Sequence, residues 1–285
     1  MYLVKELIIK NIPLLEYVPQ HLNQQAAPLA IFYHGWTNNK QQVAYLAHEL
    51  MAYGFRVIAP DCYFHGRRLD RDQEPVPDDF FKVIIKNMEE FPKILSYYQN
   101  KNLIKDDFVA ACGLSMGGIT TCMLVTQFPW IKAFGVLMGT PKLQQYTQQL
   151  FHAFEEEHGE LDQAMHEQMS WIYQYLKPYD LSQHKETLRE RPIHFWHGKE
   201  DPVVPWQLTK EFCDEIKEEH LNPYLHLITK ERAGHKVPYM AHIRLAAFLS
   251  NCYTEKKTDI WPKTREIMEE RFSAERLAKA NYTID

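Results

Sequence analysis

The sequence predicts an α/β fold, a mainly parallel sheet covered on both faces by helices. Short apolar runs without polar alternation recur along the chain, the pattern of strands buried on both sides. Helix-period segments separate several of these runs. In chain order the strand-like runs are Leu3–Ile9, Leu14–Val18, Leu29–Tyr33, Arg56–Ala59, Phe108–Cys112, Ala133–Met138, Ile193–Trp196 and Tyr224–Ile228. The helical segments are Gln41–Tyr53, Met116–Gln127, Pro205–His220 and Pro238–Asn251. Only Lys10-Asn11-Ile12-Pro13 divides the first two runs, so they read as an antiparallel hairpin at the sheet edge.

One stretch breaks the alternation. From about 141 to 191 no strand signal occurs, and apolar residues recur at helical spacing: Leu150, Phe151, Phe154, Met165, Met169, Trp171, Ile172 and Tyr175. Such an insertion between two strands is expected to sit over the C-terminal edge of the sheet as a helical lid. The tail, about 254–285, is polar with a sparse stripe that suits a docked helix, a dimer contact or a frayed end. With no repeat and no low-complexity linker, 1–285 reads as one domain.

Composition narrows the function classes. The chain has 285 residues, 45% hydrophobic and 24% charged, enough for a full core and far from a disordered composition. A net charge of −5 without a basic stripe argues against nucleic acid as a partner. No apolar run approaches the ~18 residues of a membrane span. The N-terminal stretch carries charge among its apolar residues and does not read as a signal peptide. Five scattered cysteines, an odd number without a CxxC pair, suit a reduced cytoplasmic chain. The tripeptide Asn281-Tyr282-Thr283 therefore reads as a chance sequon. Glycine is scarce, 11 residues in all, so its positions are informative.

The strongest chemical signal is Gly113-Leu114-Ser115-Met116-Gly117-Gly118, between the run Phe108–Cys112 and a helix. A G-x-S-x-G segment in a strand–turn–helix setting puts the serine on a tight turn with its hydroxyl above the sheet. The flanking glycines are expected where a Cβ would strike the neighbouring helix and strand. Serine is a weak nucleophile and needs a base held by an acid, in the chain order Ser, acid, His. Asp201, in His197-Gly198-Lys199-Glu200-Asp201-Pro202, fits the acid; Glu200 is its rival, and Pro202 favours Asp201 by fixing the residue before it as extended. His235, in Ala233-Gly234-His235-Lys236, follows the last strand-like run, where the base belongs. His194 and His197 read as packing or loop-ordering residues, and Cys112 as a small core residue. The run Leu29–Tyr33 ends in His34-Gly35-Trp36. The backbone N–H groups of Trp36 and Met116 are the expected oxyanion donors, with His34 bracing their loop.

Together HGW (34–36), DCYFHGRR (61–68), GLSMGG (113–118), HGKEDPVVP (197–205) and AGHKVP (233–238) resemble the α/β-hydrolase superfamily. More narrowly they are similar to small serine esterases of the prolyl-oligopeptidase and dienelactone-hydrolase branch, over roughly 14–251. The resemblance implies a Ser115–His235–Asp201 triad, a sheet of about eight strands and no cofactor. It also implies that the 61–68 segment lines the mouth of the site, so that His65 or Gly66 at its rim borders the substrate; His34 and Tyr63 are read as substrate-binding with His65. Ser115 stands where dienelactone hydrolases carry cysteine, and HGW differs from the HGGG of many lipases. The length leaves no room for the propeller of the prolyl peptidases. The expected activity is hydrolysis of a small-molecule carboxylic ester of small to medium acyl chain, with a peptidase or amidase on the same triad as the alternative. A non-catalytic hydrolase-like binder is less consistent, because no triad member is lost. No HExxH or comparable metal motif occurs. Exposed aromatics and the tail are consistent with a homodimer.

Overall fold

The computed structural model describes residues 1–69, 79–159, 162–279 and 282–284. Strands β1 (Tyr2–Ile9) and β2 (Ile12–Pro19) form the expected edge hairpin, closed at Lys10 and Asn11, both left-handed with φ of 50° and 67°. Two left-handed residues suit the twist of a two-residue hairpin turn. Next come β3 (Ala27–Tyr33), α1 (Ala44–Ala52), β4 (Arg56–Pro60), α2 (Phe80–Asn100), β5 (Ile104–Leu114) and α3 (Met116–Gln127). The second half runs β6 (Ala133–Leu137), α4 (Leu143–His158), α5 (Gln163–Leu176), β7 (Ile193–Gly198), α6 (Trp206–Glu218) and β8 (Leu225–Lys230). Helices α7 (Tyr239–Thr254), α8 (Ile260–Arg271) and α9 (Ala274–Lys279) and a short strand β9 (Tyr282–Ile284) complete the described chain.

The strand order is β1-β2-β4-β3-β5-β6-β7-β8-β9. Strands β3 to β8 are parallel, while β1, β2 and β9 add antiparallel edges. The predicted sheet of about eight mostly parallel strands is thus present, extended by β9 from a tail that had read only as a helix, contact or frayed end. Two apolar clusters fill the two faces. One joins the sheet to α2, α3 and α6, with Phe91, Ile94, Met123, Phe195 and Phe212. The other joins it to α1, α7 and α8, with Leu50, Trp196, Leu245, Phe248 and Ile260. Among the described residues no helix is long and apolar enough to cross a membrane.

Helix α2 is the element that the sequence pattern did not reveal. Its buried stripe, Phe81, Ile84, Met88, Phe91, Ile94, Leu95 and Tyr98, has helical period, but Pro92 stands inside it. An interior proline removes one ladder bond and normally signals a stop. Here the apolar stripe continues on both sides of it. The described residues of 143–187 contain α4, α5 and three 3₁₀ turns, without a strand.

Chain order dictates where a site can form. From β3 the chain crosses to β4 on one side and then returns to place β5 on the other. The carboxyl ends of β3 and β5 therefore diverge into loops at a topological switch point, where open α/β sheets bind ligands. The loop 34–37 leaves β3 there, and Ser115 directly follows β5.

Candidate active site

Ser115 is held in a sharp turn between β5 and α3, with φ 54° and ψ −116°, a region a non-glycine residue visits only under constraint. Its N–H donates to Leu137 O at 2.7 Å, tying the turn to β6. A Cβ on Gly117 would lie 2.1 Å from Tyr33 O on β3, and one on Gly113 would lie 2.0 Å from Gly117 O. Both positions leave no space for a side chain, as the spacing predicts. Met116 is the first residue of α3, so its N–H has no carbonyl one turn back to bond within the helix. The positive end of the α3 dipole lies at the serine.

Asp201 and His235, the expected acid and base, come from the loops after β7 and β8, farther along the sheet. Ser115 Oγ is 2.8 Å from His235 Nε2, and His235 Nδ1 is 2.7 Å from Asp201 Oδ2. Asp201 lies just past β7 and is held from behind. Its Oδ1 accepts the N–H groups of Val203 and Val204 at 2.9 and 3.0 Å. Burial alone would raise this carboxyl's pKa. The hydrogen bonds from His197, His235 and the backbone of Val204 and Val203 outweigh it and hold the group well below the usual carboxylate range. Glu200, the rival, is exposed, and its N–H donates to Ala233 O at 2.9 Å, joining the acid loop to the base loop. A Cβ on Gly198 would lie 2.2 Å from that same Ala233 O, so only glycine lets the two loops meet.

The expected oxyanion loop is braced from beneath. His34 is fully buried; its Nδ1 lies 2.8 Å from Gly35 O, and its Nε2 accepts the Cys62 N–H at 3.0 Å. Burial lowers its pKa to about 4, which suits a neutral ring that donates from one nitrogen and accepts at the other. Gly35 N–H donates to Gln42 Oε1 at 2.9 Å. Trp36 is half-buried, its ring 4.8 Å from His65 and 5.8 Å from Phe80.

The 61–68 segment departs from expectation. His34 and His65 were expected to border the substrate, yet His34 is 0% and His65 only 1% exposed. His65 Nδ1 lies 2.7 Å from Tyr63 O, and its ring packs on His34 and Trp36. Both imidazoles support the loop from below. An ionic framework shapes this segment: buried Asp61 accepts from Lys40 Nζ at 2.5 Å and from the N–H groups of Lys40 and Arg67. Gly66, expected at the site rim, is left-handed at φ 55°, and a Cβ there would lie 2.1 Å from the Asp61 carboxylate. Tyr63 does face open space. It lines a cleft of about 400 Å³ with Phe81 and Ile85 of α2 and Trp171, Ile172 and Tyr175 of α5.

Two contributors escaped the sequence reading. The start of α2 supplies Phe80, which lies between Trp36 and Tyr146 of α4, and Tyr146 Oη donates to Val203 O at 3.3 Å. His197, read as packing or loop-ordering, has its Nε2 3.2 Å from Asp201 Oδ2. Chemically, a serine hydroxyl, an imidazole and a buried carboxylate in one hydrogen-bonded line can activate an alcohol for attack on a carbonyl.

Comparison with known proteins gives a consistent context. Residues 85–258 match the model of the prolyl oligopeptidase family. YitV of Bacillus subtilis (strain 168), whose name assigns it provisionally to the esterases, is 33% identical over 247 residues, 86% of this chain and 96% of YitV. The esterase YjfP of Escherichia coli (strain K12) is 29% identical over 197 residues, 69% of this chain and 78% of YjfP. The crystal structure of TT1662 from Thermus thermophilus superposes with a TM-score of 0.69 at 16% identity, covering 90% of this chain and 100% of that one.

Proposed function

The chain belongs to the prolyl oligopeptidase family and is a hydrolase of the carboxylesterase type; from that premise we propose that it cleaves carboxylic esters of small to medium acyl chain through an acyl-enzyme on Ser115. The observation that carries this reading is the line Ser115 Oγ, His235, Asp201, with contacts of 2.8 and 2.7 Å at the sheet's switch point. His235 takes the Ser115 proton as Oγ attacks the ester carbonyl, and Asp201 fixes the imidazole tautomer and stabilises its cation. The N–H groups of Trp36 and Met116 receive the developing oxyanion. His235 returns the proton to the leaving alcohol, then activates the water that releases the acid.

The cleft between α2 and α5 supports the acyl-size range. At about 400 Å³ it falls in the lower part of the usual span for small-ligand pockets. Phe80 on Trp36 and Phe81 in the cleft are adjacent residues with touching rings, so the cleft is close to the loop after β3. Helices α4 and α5 act as the lid over this side. Five free thiols, four of them buried, support a reducing, cytoplasmic setting.

The test is kcat/KM over a series of p-nitrophenyl esters, with matched aminoacyl anilides beside it. An optimum between two and about eight acyl carbons is expected. Strong anilide cleavage with negligible ester turnover overturns the ester assignment in favour of a peptidase. A fluorophosphonate probe should label the wild type and not Ser115→Ala; equal labelling overturns the nucleophile.

A further inference from the structure

We propose that His197 is a positioning residue for the catalytic acid, its single N–H shared between Val204 O and Asp201 Oδ2 so that it fixes the carboxylate and tempers its pull on His235. This rests on the reading of Ser115, His235 and Asp201 as the catalytic line.

The argument begins with hydrogen-bond types. His197 Nε2 is 2.8 Å from Val204 O and 3.2 Å from Asp201 Oδ2. A carbonyl and a carboxylate are both acceptors, so this nitrogen must carry the hydrogen. The other ring nitrogen, Nδ1, is buried without a hydrogen-bond partner among the described residues. A hydrogen placed there would be an unpartnered buried donor, so the Nε2–H tautomer is the one the surroundings support. The side chain is 1% exposed, and water does not compete for its bond.

Strand geometry delivers this contact. His197 is the penultimate residue of β7, and the chain reverses through 199–204 so that Asp201 and Val204 return beneath the ring. Asp201 then has a complete set of donors. Val203 and Val204 N–H occupy Oδ1, while His235 and His197 share Oδ2. The charged and titratable groups facing the carboxylate are His197, His235 and the Tyr146 phenol, whose pKa is raised by burial and by the Asp201 charge. Among the described residues, His197 is the side chain that binds the acid without binding the serine.

Two consequences follow. Without the His197 N–H, the carboxylate loses one of the restraints on its rotation, and the His235 ring is less well aimed. The charge on Oδ2, no longer shared, also holds the His235 imidazolium more tightly, so the acid limb of the rate profile moves up.

The test compares His197→Phe and His197→Gln on a p-nitrophenyl ester, with the thermal midpoint and a Ser115→Ala control measured beside them. In His197→Phe kcat is expected to fall about 10- to 100-fold with KM within about twofold, the size of one charge-assisted hydrogen bond. The acid limb of kcat/KM should rise by about 0.5 pH. In His197→Gln, which keeps an N–H of similar reach, kcat and the limb should return most of the way. A folded His197→Phe with wild-type kcat and limb overturns the proposal, as does a loss of kcat with an unmoved limb. If His197→Phe does not fold, ¹⁵N-histidine NMR of the wild type decides: an Nε2–H tautomer supports the assignment and an Nδ1–H tautomer overturns it. Esterase activity surviving in Ser115→Ala would instead overturn the catalytic line, which keeps the two failures distinct.

Discussion

His194 and His197 stand three residues apart on β7, both fully buried, and their side chains leave opposite faces of the strand. His197 meets a carboxylate and a carbonyl. His194 meets rings: Phe248 of α7 at 5.6 Å and Trp261 of α8 at 5.3 Å, with His226 beside it across the β7–β8 ladder. Neither nitrogen of His194 has a hydrogen-bond partner among the described residues. Burial, with His226 and Arg244 nearby, pushes its pKa well below the ordinary histidine value. The same residue type on one strand therefore serves a polar site on one face and fills an apolar core on the other. What distinguishes them is the partner that the fold brings to each, and only the structure reveals that partner.

The largest effects should break this contrast on the polar face. Ser115→Ala is expected to lower kcat by about 10⁴-fold or more, and Asp201→Asn by roughly 10³- to 10⁴-fold, because members of such a line act as a unit. Ser115→Ala should unfold within about 1 kcal/mol of the wild type, whereas Asp201→Asn should be clearly less stable at neutral pH, because the donors around this carboxylate favour its charged form. Steady-state ester hydrolysis and urea unfolding measure the two quantities. An Asp201→Asn variant with near-wild-type kcat would transfer the acid role elsewhere.

The apolar face should behave in the opposite way. His194→Leu removes a buried donor and acceptor that have no partners in the described chain and puts a hydrocarbon of similar volume among Phe248 and Trp261. An unsatisfied buried polar group costs about 1–3 kcal/mol, so unfolding free energy should rise by up to that amount while kcat stays within about twofold. Chemical denaturation of the variant checks this. A destabilised His194→Leu would mean that the imidazole has a partner on that face.

This pairing also marks what the sequence could express. Ser115, Asp201 and His235 could be picked out in the sequence because each lies in the loop that follows a strand-like run, and the structure brings the three within hydrogen-bonding distance. The glycines at 113, 117 and 198 were legible as close approaches, and the structure supplies the atoms they avoid. Helix α2 was not legible, because Pro92 interrupts a stripe that only tertiary packing completes. His197 was not legible as a partner of Asp201, because that contact depends on a turn folding back beneath its own strand. His34 and His65 carried motif positions that suggested substrate, but whether an imidazole faces upward or downward from a loop depends on the Cys62 amide and the Tyr63 carbonyl that meet it.

The smallest effect sharpens the comparison through pH. His226 stacks on Trp261 at 3.7 Å, and burial, with Lys217, Arg244 and Arg265 nearby, lowers its pKa to about 4. In the unfolded chain it titrates near 6.5, so as pH falls below that value the unfolded state binds the proton first and stability declines. The loss accumulates from about pH 6.5 down to about 4, where the folded ring also protonates. His34, His194 and His242 have lowered pKa values for the same main reason, burial, and contribute to the same slope. His226→Phe keeps a ring on Trp261 but cannot protonate. Between pH 7.5 and 5 it should lose about 1–2 kcal/mol less stability than the wild type, measured by urea unfolding at the two values. An unchanged difference would mean that His226 is already solvated in the folded protein, and that the apolar face is wetter than the stacking on Trp261 and the packing of α8 imply.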